Sequence, residues 1–140
     1  MLPSGIGELA PEAKLRGLFG RDVSLADFRG KETLVLFWDP GCGFCQDMLA
    51  DLKKWEQEAR PEGAPRLLVV STGTKEANDR MGISSTVVLD RGFSAGRAFG
   101  AAGTPSAVLV DADGNVASEV AVGASAVLDL LARGSGRTAA

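Results

Sequence analysis

The sequence of 140 residues contains no histidine and only two cysteines, and both scarcities exclude classes of chemistry. Without histidine, the chain lacks the imidazole ligand of many metal sites and the general base of Ser-His and Cys-His catalysis. Two cysteines complete a tetrahedral zinc site only with further ligands such as carboxylates. We therefore expect no metal site and no histidine-dependent catalysis.

The chain also lacks a basic block, a long apolar run and a signal-peptide pattern. Its net charge is -3, so nucleic acid is not an expected partner. No apolar run approaches the ~20 residues that span a bilayer, and residues 1–7 do not combine a basic stretch with an apolar segment. The compartment stays open, because a leader or anchor belonging to a longer chain is equally compatible with this sequence.

Composition favours one globular domain over residues 1–140, with 45% apolar and 24% charged residues. Residues 1–20 are predicted to be a loosely structured lead-in, and residues 133–140 a loosely structured tail. No internal repeat or low-complexity block divides the chain.

Hydrophobic patterning predicts an α/β fold. Strands are expected over 33–38, 66–71, 86–89, 106–110 and 116–122, with a short strand or turn at 21–25. Helices are expected over 43–60, 74–81, 94–99 and 124–132. This order predicts a central mixed sheet with helices on both faces, closed by an antiparallel hairpin and a last helix.

The two cysteines, Cys42 and Cys45, stand where the strand at 33–38 gives way to the helix at 43–60. They therefore open a helix, where free backbone N–H groups and the helix dipole favour an anion. A thiolate is such an anion, and a thiol pKa of about 8.5 falls to roughly 3.5–7.5 in such places. The spacing predicts a dithiol that exchanges a disulfide with another protein.

The helix that follows carries one apolar stripe, on which Cys45 lies with Met48, Leu49, Leu52 and Trp55. Cys42 precedes Cys45 by about one turn and lies at the start of the helix. We therefore expect an accessible attacking thiol at Cys42 and a shielded resolving thiol at Cys45.

These features resemble the redoxin branch of the thioredoxin-like fold, and within it the TlpA- and ResA-type thiol-disulfide oxidoreductases. The likeness covers about residues 5–132, nearly the whole chain. Four segments carry the likeness: Gly7–Pro11, Val23–Lys31, Phe37–Trp38 with Cys42–Cys45, and Gly103–Pro105 followed by a strand.

The resemblance implies a role for each residue of the site. Cys42 is expected to be the nucleophile and Cys45 the resolving thiol, with no external cofactor. Pro105 is expected to be cis and to face the cysteines, with the backbone of Thr104 pairing with an extended segment of a partner protein. Expected partners are protein thiols or disulfides and a second protein that recycles the disulfide. By family analogy, an extracytoplasmic location and a membrane-anchored parent protein are expected.

The sequence departs from the family where a proton-transfer group is usual. Thioredoxins place an aspartate where this chain has Leu36, and ResA-type proteins place a glutamate where it has Met48. Asp39 and Asp47 are the nearest carboxylates and become the candidates for proton transfer.

Two aromatic residues flank the cysteine motif and are candidates for partner contact. Phe44 places an apolar ring between the cysteines, and Trp38 precedes the loop that leads to them. Both are predicted to belong to the substrate-binding surface together with Thr104 and Pro105.

Three other functions remain open at this stage. A thiol peroxidase of the peroxiredoxin kind needs a Pro-x-x-x-Thr/Ser-x-x-Cys loop, but Val35 and Asp39 stand at its first two positions. A copper-binding SCO-like module uses a Cys-x-x-x-Cys pair and a histidine, which this chain lacks. The third alternative is a docking domain without redox activity.

Overall fold

The computed structural model describes residues 5–58 and 64–134. Seven strands form one sheet within these residues. They are β1 (Lys14–Gly17), β2 (Asp22–Ser24), β3 (Thr33–Trp38), β4 (Arg66–Ser71), β5 (Thr86–Leu89), β6 (Ser106–Val110) and β7 (Ala121–Val122). Their order across the sheet is β2-β1-β5-β4-β3-β6-β7.

The helices of the described residues are α1 (Gly43–Gln57), α2 (Lys75–Met81), α3 (Ser94–Ala98) and α4 (Ala124–Gly134), with 3₁₀ turns at Leu25–Phe28 and Arg91–Phe93. Capping residues mark the ends of α2 and the start of the first 3₁₀ turn. Thr74 caps α2 by accepting a hydrogen bond from the N–H of Ala77, and Gly82 ends it with a φ of 67°. Ser24 and Asp27 form a capping box on the first 3₁₀ turn.

The central strand β3 separates two hydrophobic cores, because its side chains alternate between the two faces of the sheet. Leu34, Leu36 and Trp38 pack into the core beneath α1, α2 and α4. Val35 and Phe37 pack into the core beneath α3 and the first 3₁₀ turn. Every residue of β3 is buried, as expected for a strand covered on both faces. The predicted α/β class with a mixed central sheet is confirmed.

The strand directions place the ends of several strands at one edge of the sheet, where a functional site can form. Strands β3, β4 and β5 are parallel, and their last residues Trp38, Ser71 and Leu89 lie in register. Strand β6 is antiparallel to β3, so it begins beside the end of β3, with Ser106 opposite Phe37. The start of α1 and the loop before β6 therefore meet at this edge.

The lead-in predicted over residues 1–20 is wrong for much of the segment, because it contains β1. This strand pairs with both β2 and β5. Backbone N–H groups of Gly7 and Ala10 also donate to the carbonyls of Val116 and Gly114. The charged residues and the glycine of β1 give no hydrophobic strand pattern, because this strand pairs with its neighbours mainly through its backbone.

The strand predicted over 116–122 forms only at Ala121–Val122. The N–H of Leu109 does not donate to a backbone carbonyl of a neighbouring strand. It donates to the Ser118 hydroxyl oxygen, and that hydroxyl donates to the carbonyl of Glu119. A side chain that replaces a backbone acceptor interrupts the ladder at this point.

The other boundaries shift by a few residues. Helix α1 ends at Gln57 rather than at residue 60, and residues 59–63 lie outside the described part. Helix α4 extends to Gly134 and so includes the start of the predicted tail, whereas residues 135–140 lie outside the description. None of the helices in the described ranges is both long and apolar enough to cross a membrane.

Candidate active site

Cys42 lies at the start of α1, at the end of a short turn that leaves β3. It is the N-cap residue of the helix, with φ of -83° and ψ of 127°. The turn is fixed by two hydrogen bonds to Asp39. The N–H of Cys42 donates to its carbonyl at 2.9 Å, and the N–H of Gly41 donates to its carboxylate at 2.8 Å. This geometry places a half-buried thiol over the first N–H groups of the helix.

The surroundings of Cys42 favour the thiolate. Partial burial raises the pKa of this thiol, but hydrogen bonds from the N–H of Cys45, from the Thr104 side chain and from the N–H of Phe44 outweigh that effect. The pKa therefore lies below the ordinary value of a cysteine. The N–H groups of Phe44 and Cys45 are free N–H groups of a helix start, as the sequence predicted.

Cys45 has the opposite environment, on the buried stripe of α1. Its side chain is fully buried in the core beneath the helix. Burial raises the pKa of Cys45 to about 12, a hydrogen bond from the N–H of Asp39 lowers it in part, and the nearby Cys42 raises it further. Both cysteines are free thiols in this structure. The predicted contrast between an accessible and a shielded thiol is confirmed.

The loop before β6 meets Cys42 from the other side. The Thr104–Pro105 peptide bond is cis, as the resemblance implied. The thiol of Cys42 donates to the carbonyl of Thr104 at 3.5 Å. The loop itself is held by Ser106, whose hydroxyl donates to the carbonyl of Gly103 at 2.6 Å. The Cys42 thiol and the backbone of the loop before β6 thus lie side by side.

The two aromatic candidates differ in what they offer a partner. Phe44 follows Cys42 on the helix and is 70% exposed. Trp38 is fully buried at the end of β3, because its ring completes the core beneath α1. The expectation that Trp38 belongs to the substrate-binding surface is therefore wrong, and Phe44 alone of the two presents a ring to solvent.

The two carboxylates also occupy different places. The carboxylate of Asp39 accepts the N–H of Gly41, so it serves the turn before Cys42. Asp47 lies exposed on α1. The largest effect that opposes burial at Cys45 comes from the backbone N–H of Asp39 and not from a carboxylate. A proton-transfer role for either side chain stays a prediction.

Two residues near the site escaped the sequence analysis. The Gln46 side chain donates from Nε2 to the carbonyl of Pro40 at 2.8 Å. Gly73, in the loop after β4, lies against the Pro40 ring. An exposed glutamine on a helix and a glycine in a loop give no chemical signal in a single sequence, and the partner of Gly73 lies in a segment distant along the chain.

The structure offers little room for metal chemistry at this edge. In residues 5–58 and 64–134, no group of three or more His, Cys, Asp or Glu side chains is arranged to hold a metal ion.

The fold and the helix that begins with two cysteines define a protein of the thioredoxin-like class. A sequence profile described as the AhpC/TSA family matches residues 6–119. The chain therefore belongs to the AhpC/TSA family.

Individual relatives agree with this assignment. The thiol-disulfide oxidoreductase ResA of Geobacillus thermodenitrificans is 28% identical over 116 residues, which are 79% of this chain and 66% of the relative. The chain thus spans about two thirds of the length of the curated relatives it matches.

Solved structures show the same fold. The thioredoxin domain of a thiol-disulfide oxidoreductase from Bacteroides vulgatus is 26% identical, with a TM-score of 0.74 over 92% of this chain and 96% of that one. A thiol:disulfide interchange protein from Bacteroides sp. is 24% identical and has a TM-score of 0.77 over 99% of this chain and 95% of that one.

Proposed function

We propose that this protein is a thiol-disulfide oxidoreductase that exchanges its Cys42/Cys45 pair with disulfides or thiols of partner proteins. One observation carries the proposal. A half-buried thiol with a lowered pKa caps a helix one turn before a buried thiol whose pKa is raised to about 12. The similarity to thiol-disulfide oxidoreductases supports the same reaction.

The reduction of a partner disulfide proceeds in two exchanges. The Cys42 thiolate attacks one sulfur of the partner, so a mixed disulfide forms and the partner's other sulfur leaves as a thiolate. The Cys45 thiol then loses its proton, and its sulfur attacks the sulfur of Cys42. The Cys42–Cys45 disulfide forms, the mixed disulfide breaks, and the departing thiolate gains a proton. The partner gains two electrons and the protein loses two; oxidation of a partner runs the same steps in reverse.

The environments of the two sulfurs suit the two exchanges. Cys42 attacks first because hydrogen bonds at the start of α1 stabilise its thiolate. Burial keeps Cys45 protonated, so it does not compete for the partner. Once Cys42 has entered the mixed disulfide, its negative charge no longer opposes the ionisation of Cys45.

The surface beside Cys42 suits an extended polypeptide. The backbone of Thr104 lies within 3.5 Å of the Cys42 sulfur, at the cis bond to Pro105. A partner segment that hydrogen-bonds to this backbone brings its own disulfide to the thiolate. The exposed ring of Phe44 supplies an apolar contact on the helix side.

Peroxide reduction is the second candidate, because the matched AhpC/TSA family gives it a specific footing. The site argues against it. Asp39 occupies the place of the peroxidase hydroxyl, and its carboxylate accepts the N–H of Gly41. Thiol-dependent consumption of hydrogen peroxide that disappears in the Cys42→Ser variant would favour the peroxidase over disulfide exchange.

We further propose that the protein acts in an extracytoplasmic compartment, as expected for the ResA type. It needs no bound cofactor, since both electrons of the reaction reside in the thiols. A second redox protein would return Cys42 and Cys45 to their starting state.

Reduction of insulin disulfides by dithiothreitol tests the proposal. The wild-type protein should accelerate precipitation of the insulin B chain, and the Cys42→Ser variant should not. The Asp51→Asn variant, altered on the exposed surface of the same helix, controls for non-specific effects. Equal rates for the wild type and Cys42→Ser would refute the proposed activity.

A further inference from the structure

Residues outside the cysteine motif contact the turn between β3 and α1 on two sides. On one side lies the segment after β4. The N–H of Thr72 donates to the carbonyl of Trp38 at 3.0 Å, and Gly73 packs against Pro40. On the other side, Nε2 of Gln46 donates to the carbonyl of Pro40 at 2.8 Å.

The contact between Gly73 and Pro40 leaves no space for a side chain. A Cβ on Gly73 would lie 2.6 Å from Cδ and 2.7 Å from Cγ of Pro40. Real Cβ atoms do not approach so closely, and a proline ring cannot rotate away because it is closed on its own backbone nitrogen. The φ of Gly73 is not positive, so close approach and not backbone conformation requires glycine here.

One peptide unit of this turn faces the resolving thiol, Cys45. The peptide unit between Trp38 and Asp39 has its carbonyl bound to the N–H of Thr72, while its own N–H hydrogen-bonds to the sulfur of Cys45. Cδ of Pro40 is attached one residue further along the same backbone. Only the φ and ψ bonds of Asp39 separate the Pro40 ring from this N–H, so a displaced ring changes the backbone geometry that holds the N–H near Cys45.

We infer that Gly73 and Gln46 are positioning residues for the second exchange, because together they hold the Asp39 N–H against the sulfur of Cys45. This inference rests on the proposed thiol-disulfide exchange. The held N–H stabilises the Cys45 thiolate as it loses its proton and attacks the sulfur of Cys42 in the mixed disulfide. This N–H takes the place of the proton-transfer carboxylate, because Leu36 and Met48 occupy the positions where the related families carry an aspartate or a glutamate.

The test uses dithiobis(nitrobenzoate), a small aromatic disulfide, with the reduced full-length protein in a stopped-flow spectrometer. Attack by Cys42 releases one coloured thiolate at a rate that depends on reagent concentration. Attack by Cys45 on the mixed disulfide releases the second at a rate that does not. The second phase should accelerate with pH as the thiolate fraction of Cys45 rises, up to tenfold per unit.

The Gly73→Ala variant should slow the second phase by about tenfold at every pH from about 6 to about 9, because the hydrogen bond to the developing thiolate is lost. Its first phase should change by less than about threefold, since the donors to Cys42 come from α1 and from Thr104 and not from the turn that Gly73 contacts. The matched control is Gly96→Ala in α3, where the new Cβ would lie 2.5 Å from the Phe93 ring in the opposite core. That variant should lose stability yet keep the wild-type second phase.

A folded Gly73→Ala protein with a wild-type second phase overturns the inference, and so does an equal slowing in Gly96→Ala. If Gly73→Ala does not fold, Gln46→Ala decides by the same criterion, with an expected slowing of about threefold. Failure of the proposed function shows differently. In that case the first phase of the wild-type protein is no faster than that of a free cysteine.

Discussion

Raising the pH should destabilise the reduced protein through Cys45. The buried thiol has a pKa of about 12 in the folded protein, against an ordinary value of 9.0. A group whose pKa is raised by folding contributes stability that is fully present below the unfolded pKa. That stability is lost as the pH rises toward the folded pKa, so the loss falls between about pH 9 and about pH 12.

The magnitude follows from the shift. One proton changes the free energy of unfolding by at most about 1.4 kcal/mol per pH unit. Cys45 is fully buried, but water reaches its neighbour Cys42 and screens part of the effect. We therefore expect a loss of about 1 kcal/mol between about pH 8 and about pH 10.

The assay is urea unfolding under a reductant, in a background that lacks Cys42. The pKa of Cys42 is lowered, so its titration has the opposite sign: it contributes stability at high pH that is lost as the pH falls. Comparing Cys42→Ser with Cys42→Ser/Cys45→Ala removes that contribution and cancels every other titrating group. The loss should appear only where Cys45 is present. Equal pH dependence in the two variants would refute the shielded state of this thiol.

Two further substitutions test the surroundings of Cys42. Thr104→Val removes a side chain that lowers the pKa of Cys42, so iodoacetamide should alkylate Cys42 more slowly at neutral pH. An unchanged pH profile of alkylation would contradict the role of Thr104. Phe44→Ser removes a ring that is 70% exposed, so the free energy of unfolding should change by less than about 0.5 kcal/mol. The rate with insulin should fall in Phe44→Ser while the rate with dithiobis(nitrobenzoate) stays the same, and equal slowing with both disulfides would argue against a partner contact.

The sequence was most informative where the chain is buried on both sides. The apolar run at Thr33–Trp38 forms β3 at the predicted residues, because burial on two faces leaves a continuous hydrophobic signal. The helix stripe predicted the burial of Cys45, and helix polarity predicted the lowered pKa of Cys42. The cis bond at Pro105 came from the resemblance to a family rather than from the residues themselves.

Features that depend on the meeting of distant segments were not predictable. Strand β1 is held by its backbone pairing with β2 and β5, which no side-chain pattern records. Trp38 is different, because the alternation of β3 is a local pattern that already places its side chain in the core with Leu34 and Leu36. Gly73 meets Pro40 only because β3 and β4 end in register.

The pH profile of Cys42 alkylation in the reduced protein tests the central claim most directly. Iodoacetamide labelling, resolved by peptide mapping, should show Cys42 reacting at a lower pH than free cysteine, while Cys45 stays unlabelled in the folded protein. A Cys42 profile that matches free cysteine, or labelling of Cys45 at the same rate, would contradict an account built on two thiols with opposite environments.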